Sequence, residues 1–246
     1  MGRAHEVRAA SMAKTAAKKT KIYSKFGKEI YIAAKNGVPD PAMNLTLKHI
    51  IDKAKAAQVP ADVIKRNIEK AKGGTGESYI ENMYEGFGPE GSTIVIQVLT
   101  DNVNRAFSEI RGCFNKAHCT LGVKGSVSFQ YDNLGILSFD KDADQEEAVL
   151  DALIMADVDV KELECEDGAI TVYTDFADLY KAKDAIDELY GETEYTILET
   201  RMMPQDYVTL TTDEGKTLFS RLLNLLDEVD DVQEIYHNVD NAEELA

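Results

Sequence analysis

At 246 residues, with 44% apolar and 29% charged side chains, the chain has an ordinary globular composition and room for two or three domains. It has no apolar run of about 18 residues, no apolar segment near its start, and Glu6 where a myristoylation signal needs Ser or Thr. A membrane span, a secretory signal and a lipid anchor are therefore not expected. The net charge of −17 argues against a nucleic-acid partner only until its distribution is read: residues 1–76 carry 16 Lys and Arg against 6 Asp and Glu, a local +10, and the remaining 170 residues carry −27.

Residues 1–13 show no clear period. From Lys14 the spacing is helical: Lys14, Lys18, Lys21, Lys25 and Lys28 recur at intervals of three and four, and Lys35 follows seven later, so they fall on one face. Ile22, Phe26, Ile30 and Ala33 form an apolar stripe beside it. Asn36-Gly37 is the expected stop, with Gly37 as a left-handed cap. Asp40-Pro41 reads as the N-cap and first residue of a second helix with Leu47, Ile50, Ile51, Ala54 and Ala57 inward. A third helix starts at Pro60 or Ala61, with Val63, Ile64, Ile68 and Ala71 inward and Lys65, Arg66, Lys70 and Lys72 around them. Gly73 to Gly76 then forms a linker that holds this basic module off the acidic remainder.

Beyond the linker the period changes. Thr93–Leu99 is a buried strand, Asp101 caps a helix with Val103, Phe107, Ile110 and Phe114 inward, and Val127–Tyr131 alternates as a strand. A complete unit follows: strand 136–139, helix 144–156, strands 158–165 and 169–174 joined at Asp167-Gly168, helix 176–190 and strand 195–200. This is the β-α-β-β-α-β order of a ferredoxin-like domain. After Met203-Pro204 come a strand at 207–210, a helix opened by a Thr211/Glu214 capping box, and a strand at 232–237. The fold class is α+β: an N-terminal three-helix domain (1–76) and two ferredoxin-like α/β domains, one (134–204) inserted into the other (78–132 and 205–240).

The lysine face is the strongest chemical signal. A one-sided cationic helix face that flanking helices reinforce reads as a phosphate-binding surface, rather than as an ordinary solvated face of mixed sign. Its candidate residues are Lys14, Lys18, Lys19, Lys21, Lys25, Lys28, Lys35, Lys55, Lys65, Arg66, Lys70 and Lys72. Arg105 and Lys124 are added as a secondary contact. Tyr23 and Tyr31 are interleaved and by default pack. Gly86–Gly91 precedes a strand and lacks a Gly-Lys-Ser/Thr ending, so it is a turn rather than a phosphate loop. Asp140, Asp142 and Asp144 imitate a calcium loop but have Gln145 where Gly is needed. Cys113, His118 and Cys119 lack a second pair to complete a zinc set, and the odd cysteine count fits a reducing cytoplasm. No catalytic constellation, cofactor or metal is expected.

Several motifs in order carry a family resemblance: Lys19-Thr20-Lys21-Ile22-Tyr23-Ser24-Lys25, Asp40-Pro41 with Asn44, Tyr84-Glu85-Gly86-Phe87-Gly88-Pro89, Asp101-Asn102-Val103-Asn104-Arg105, and Leu121-Gly122 with Gly125-Ser126-Val127. With these the chain resembles the YebC/PmpR family of bacterial proteins. That resemblance implies a three-domain cytoplasmic protein, DNA binding and transcriptional control in some members, and in others ribosome association that eases translation through proline-rich stretches. Nucleic acid is thus the expected partner, DNA ahead of ribosomal or transfer RNA. The family's usual Trp-containing opening segment is absent, because the chain has no Trp.

Overall fold

The structure is a computed structural model that describes residues 3–73, 78–166 and 168–242; the side chains of residues 3–18 and Thr20 are not described. The chain forms two compact units. The first takes Met1–Lys124, Leu210–Ile235 and Asn241–Ala246, and the second takes Gly125–Thr209 and Tyr236–Asp240.

The first unit opens with α1 (Arg3–Asn36), which starts eleven residues earlier than its period suggests. α2 (Leu45–Ala56) and α3 (Ala61–Lys72) pack on its C-terminal half. Ile30, Ala33, Leu47, Ile51, Ala54, Val59 and Ile64 form one buried cluster, with Tyr23 and Phe26 against it. Two boundaries depart from the sequence reading. Gly37 does not take a left-handed cap, and Asn44 rather than Asp40 caps α2, accepting from the Leu47 amide at 3.0 Å. Asp40 instead turns the preceding loop by accepting from the Ala42 amide at 2.9 Å. Of the expected linker, Gly74 to Gly76 lie outside the described residues.

The same unit then builds a sheet from β1 (Ile80–Phe87), β2 (Thr93–Thr100), β3 (Thr120–Leu121) and β8 (Val232–His237), in the order β3-β1-β2-β8. Between these lie α4 (Val103–Lys116), after β2, and α7 (Asp213–Asp227), before β8. β1 runs through Gly86 and Phe87, the first two residues of the segment 86–91 expected as a turn. It pairs antiparallel with β2 over its full length, and only Pro89–Gly91 turns the chain. Gly86 is required in this strand: a Cβ there would meet the Phe114 ring at 2.2 Å. α4 buries Ala106, Ile110, Cys113 and Phe114, whereas Phe107, expected inward, is 41% exposed.

The second unit contains β4 (Tyr131–Asp140), α5 (Glu146–Met155), β5 (Val160–Glu166), β6 (Ala169–Asp175), α6 (Leu179–Tyr190) and β7 (Tyr195–Pro204), with the sheet order β5-β6-β4-β7. This is the ferredoxin-like order, with Leu137, Phe139, Val149, Leu153, Ile170, Val172 and Ile186 in its core. Of the expected hairpin pair, Asp167 lies outside the described residues and Gly168 has φ +79°. Residues 128–130 form a 3₁₀ turn rather than the expected strand. Residues 207–210 form no strand either, and contribute only an isolated bridge from Val208 to Val239.

The two sheets share one plan. β2, β3, β1 and β8 take the places of β4, β5, β6 and β7, with α4 and α7 answering α5 and α6. The difference is that the strand matching β6 comes first in the chain, as β1. No described helix is long and apolar enough to cross a membrane.

Candidate nucleic-acid interface

α1 presents Lys21, Lys25 and Lys28 on one face, as their spacing requires, but that face is not open. Lys21 Nζ lies 3.0 Å from Asp227 Oδ1 at the end of α7, and Lys25 donates to the Gln233 carbonyl in β8. Lys28 Nζ reaches Asp231 Oδ1 at 2.9 Å, the Asp230 carbonyl at 3.0 Å and the Leu99 carbonyl at 3.3 Å. The expectation that the helical module is held off the acidic chain is corrected here. Lys21 and Lys28 fasten α1 to the acidic segment 227–231, and Lys25 adds a bond to β8.

Asp231 is the centre of this fastening. Its side chain is 3% exposed and accepts from Lys28, from Arg105 Nη2 at 2.6 Å and from Thr100 Oγ1 at 2.8 Å. Burial alone would raise its pKa, but the three hydrogen bonds, led by Lys28, more than offset burial and hold the carboxyl below the usual range. Arg105 also bonds Asp101 Oδ1 at 2.8 Å, and its pKa is raised chiefly by the bond to Asp231. Arg105, expected as a phosphate contact, is thus neutralised within the chain. Beside this fastening, burial first and Glu234 second push the Glu29 carboxyl above its ordinary pKa, against the opposing Lys53 and Lys25.

The remaining candidates divide by exposure. Lys19, Lys35, Lys55, Lys65, Arg66, Lys70, Lys72 and Lys124 are exposed, and Lys14 and Lys18 fall among the side chains not described. Lys55 pairs with Asp52 at 3.3 Å and Lys72 with Glu69 at 2.6 Å, each within one helix turn. Such exposed pairs are worth well under about 1 kcal/mol and yield readily to a phosphate.

Between α1 and α3 lies a cleft of about 360 Å³ that spacing alone did not indicate. Its lining brings together Tyr23, Tyr31 and Tyr79 with Lys28, Arg66 and Lys70, and among the described residues no acidic one lines it. The Tyr31 and Tyr79 rings meet edge to face at 5.8 Å. Lys70 Nζ stands 5.6 Å from the Tyr31 ring centre, and Lys28 Nζ 5.8 Å from that of Tyr79. Gly27 permits the close approach of the helices, since a Cβ there would meet Asn67 Nδ2 at 2.9 Å. Tyr79 follows the glycine-rich stretch 73–76 in the sequence, and no period marks it. The signal that could have found it is its place between a basic helix and a strand.

The cysteines are free, and Cys113 is buried with Sγ 3.4 Å from the Leu225 carbonyl. Burial raises the pKa of all three, which disfavours the thiolate.

Comparison with known proteins agrees with this architecture. Residues 3–74 match the family described as the TACO1/YebC protein N-terminal domain, and residues 79–239 match the TACO1/YebC second and third domain. A probable transcriptional regulatory protein of Vibrio parahaemolyticus is 47% identical over 240 residues, covering 98% of this chain and 100% of the relative. One of the same description from Alcanivorax borkumensis is 46% identical over 240 residues, covering 98% and 99%. The crystal structure of a conserved hypothetical protein from Aquifex aeolicus superposes with a TM-score of 0.74 at 31% identity, covering 93% of each chain. With both family segments matched in order along nearly its whole length, the chain belongs to the YebC/PmpR family, the group also described as TACO1/YebC.

Proposed function

We propose that this protein is a DNA-binding regulator of transcription that holds the phosphate backbone on the exposed cations of α1, α2 and α3. The observation that carries the reading is the segregation of charge. The first 76 residues are +10 in a chain of −17, and most of the described cations among them face solvent even after Lys21, Lys25 and Lys28 are engaged internally. Lys19, Lys35, Lys65, Arg66, Lys70 and Lys72 supply the contacts, with Lys55 and Lys124 at the margin. Lysine-to-phosphate contacts position a nucleic acid without reading its bases, so they give affinity and register rather than sequence choice. The acidic remainder repels the same polyanion and confines it to the helical end. The names of the relatives support a role in transcription, and no catalytic step belongs to this reading.

Crosslinking in cells followed by sequencing of the bound nucleic acid tests it. Enrichment of a defined set of promoter DNA is the expected result. Recovery of ribosomal or transfer RNA would replace it with a ribosome-associated translation factor. The absence of any enriched nucleic acid would overturn it.

A further inference from the structure

We infer that the cleft between α1 and α3 takes one unpaired nucleotide of a single-stranded segment, its base against the partly exposed rings of Tyr79 and Tyr23, with the buried Tyr31 behind them, and its phosphate on Arg66 and Lys70. The inference rests on the nucleic-acid reading above and adds the form of the ligand and its seat.

Three observations converge on it. The first is size: about 360 Å³ is near the low end of small-molecule sites, roughly 300–1,000 Å³, which suits one nucleotide. The second is chemistry. Aromatic faces beside cations are what an unstacked base and its phosphate require, and a paired, stacked duplex offers no base to such a cleft. The third is the sign of the charge. A larger cleft of about 740 Å³ in the same unit also contains Lys28 and Tyr79, but five carboxylates line it: Asp101, Glu109, Glu228, Asp230 and Asp231. Those repel a polyanion, whereas the described residues that line the smaller cleft include no acid. Arg66 and Lys70 lie one turn apart on α3, and Ser24 and Asn67 add polar groups that can meet a base edge or a sugar.

The test is fluorescence anisotropy of the full chain with labelled ten-nucleotide strands, as single-stranded RNA, single-stranded DNA and the DNA duplex. Wild type, Arg66→Ala, Tyr79→Leu and the control Lys65→Ala are compared, with circular dichroism to confirm folding. Lys65 neighbours Arg66 and has the same charge but does not line the cleft. The expected result is that Tyr79→Leu weakens single-strand binding by about 5- to 100-fold, the loss of one stacked base. Arg66→Ala should weaken it several-fold more than Lys65→Ala does, with no such gap on the duplex. A preference between the RNA and DNA strands would show whether a 2′-hydroxyl is read. If Arg66→Ala and Lys65→Ala are equal on every probe and Tyr79→Leu changes nothing, the cleft site is overturned while phosphate docking stands. If wild type binds no strand of either kind, the wider reading fails, and the cleft with it. Should Tyr79→Leu not fold, the Arg66-to-Lys65 comparison decides alone.

Discussion

At the scale of single residues, two carboxyls at the seat of α1 have opposite linkage to pH. Asp231 has a folded pKa below its unfolded value, so its ionised form stabilises the fold at neutral pH, and that contribution is lost as pH falls through the lowered value. Asp231→Ala would leave Lys28, whose side chain is 12% exposed, and Arg105 without their shared anion. A loss of about 3 kcal/mol is expected, read as a lower urea midpoint at pH 7. Glu29 runs the other way. Its folded pKa is raised, so it favours the fold below the unfolded pKa, and that support is lost as pH rises through the raised value. Glu29→Gln should therefore be more stable than wild type at pH 7, with the difference vanishing as pH approaches the ordinary carboxylate range. Urea titrations of both proteins across that window check the sign, and a destabilised Glu29→Gln at pH 7 would refute it.

At the scale of elements, the α7 N-terminus shows how a distant residue can replace a local signal. The sequence suggested a capping box between Thr211 and Glu214, but Thr212 is the N-cap, with Oγ1 accepting from the Gly215 amide at 3.0 Å. The acid is supplied by Glu90, whose carboxylate accepts from the Thr211 amide at 3.0 Å, the Thr212 amide at 3.2 Å and both hydroxyls. Those bonds, led by the Thr212 hydroxyl, lower its pKa to about 2. Glu90→Ala should speed hydrogen exchange at the Thr211 and Thr212 amides selectively, while the β4–β7 sheet stays unchanged; unchanged exchange at those two amides would refute the role. The same contrast explains what could be read in advance. The helices α2 to α7 and most strands were legible because period and turn residues are local. β1 was not, because Gly86 and Gly88 resemble turn glycines until Phe114 is seen lying against Gly86. The lysine spacing of α1 gave a face correctly. It could not show that Asp227 and Asp231, some 200 residues later, stand opposite that face.

At the scale of the whole molecule, the field of the chain is its clearest functional feature. The cations divide into two sets with different work. Lys21, Lys25, Lys28 and Arg105 hold structure, and the exposed set faces solvent, where the proposed phosphate contacts lie. Reversing the first set should lower stability before it reports on binding, whereas reversing the second should leave the fold intact. The measurement that tests the central claim is the salt dependence of DNA binding by the full chain and by a variant with Lys19, Lys65, Arg66 and Lys72 each changed to Glu. If about four phosphates are neutralised, log K for the wild-type chain should fall against log salt with a slope of roughly −3 to −4, and the folded variant should lose binding at about 0.15 M salt. A wild-type slope near zero, or a variant that keeps wild-type affinity, would contradict it.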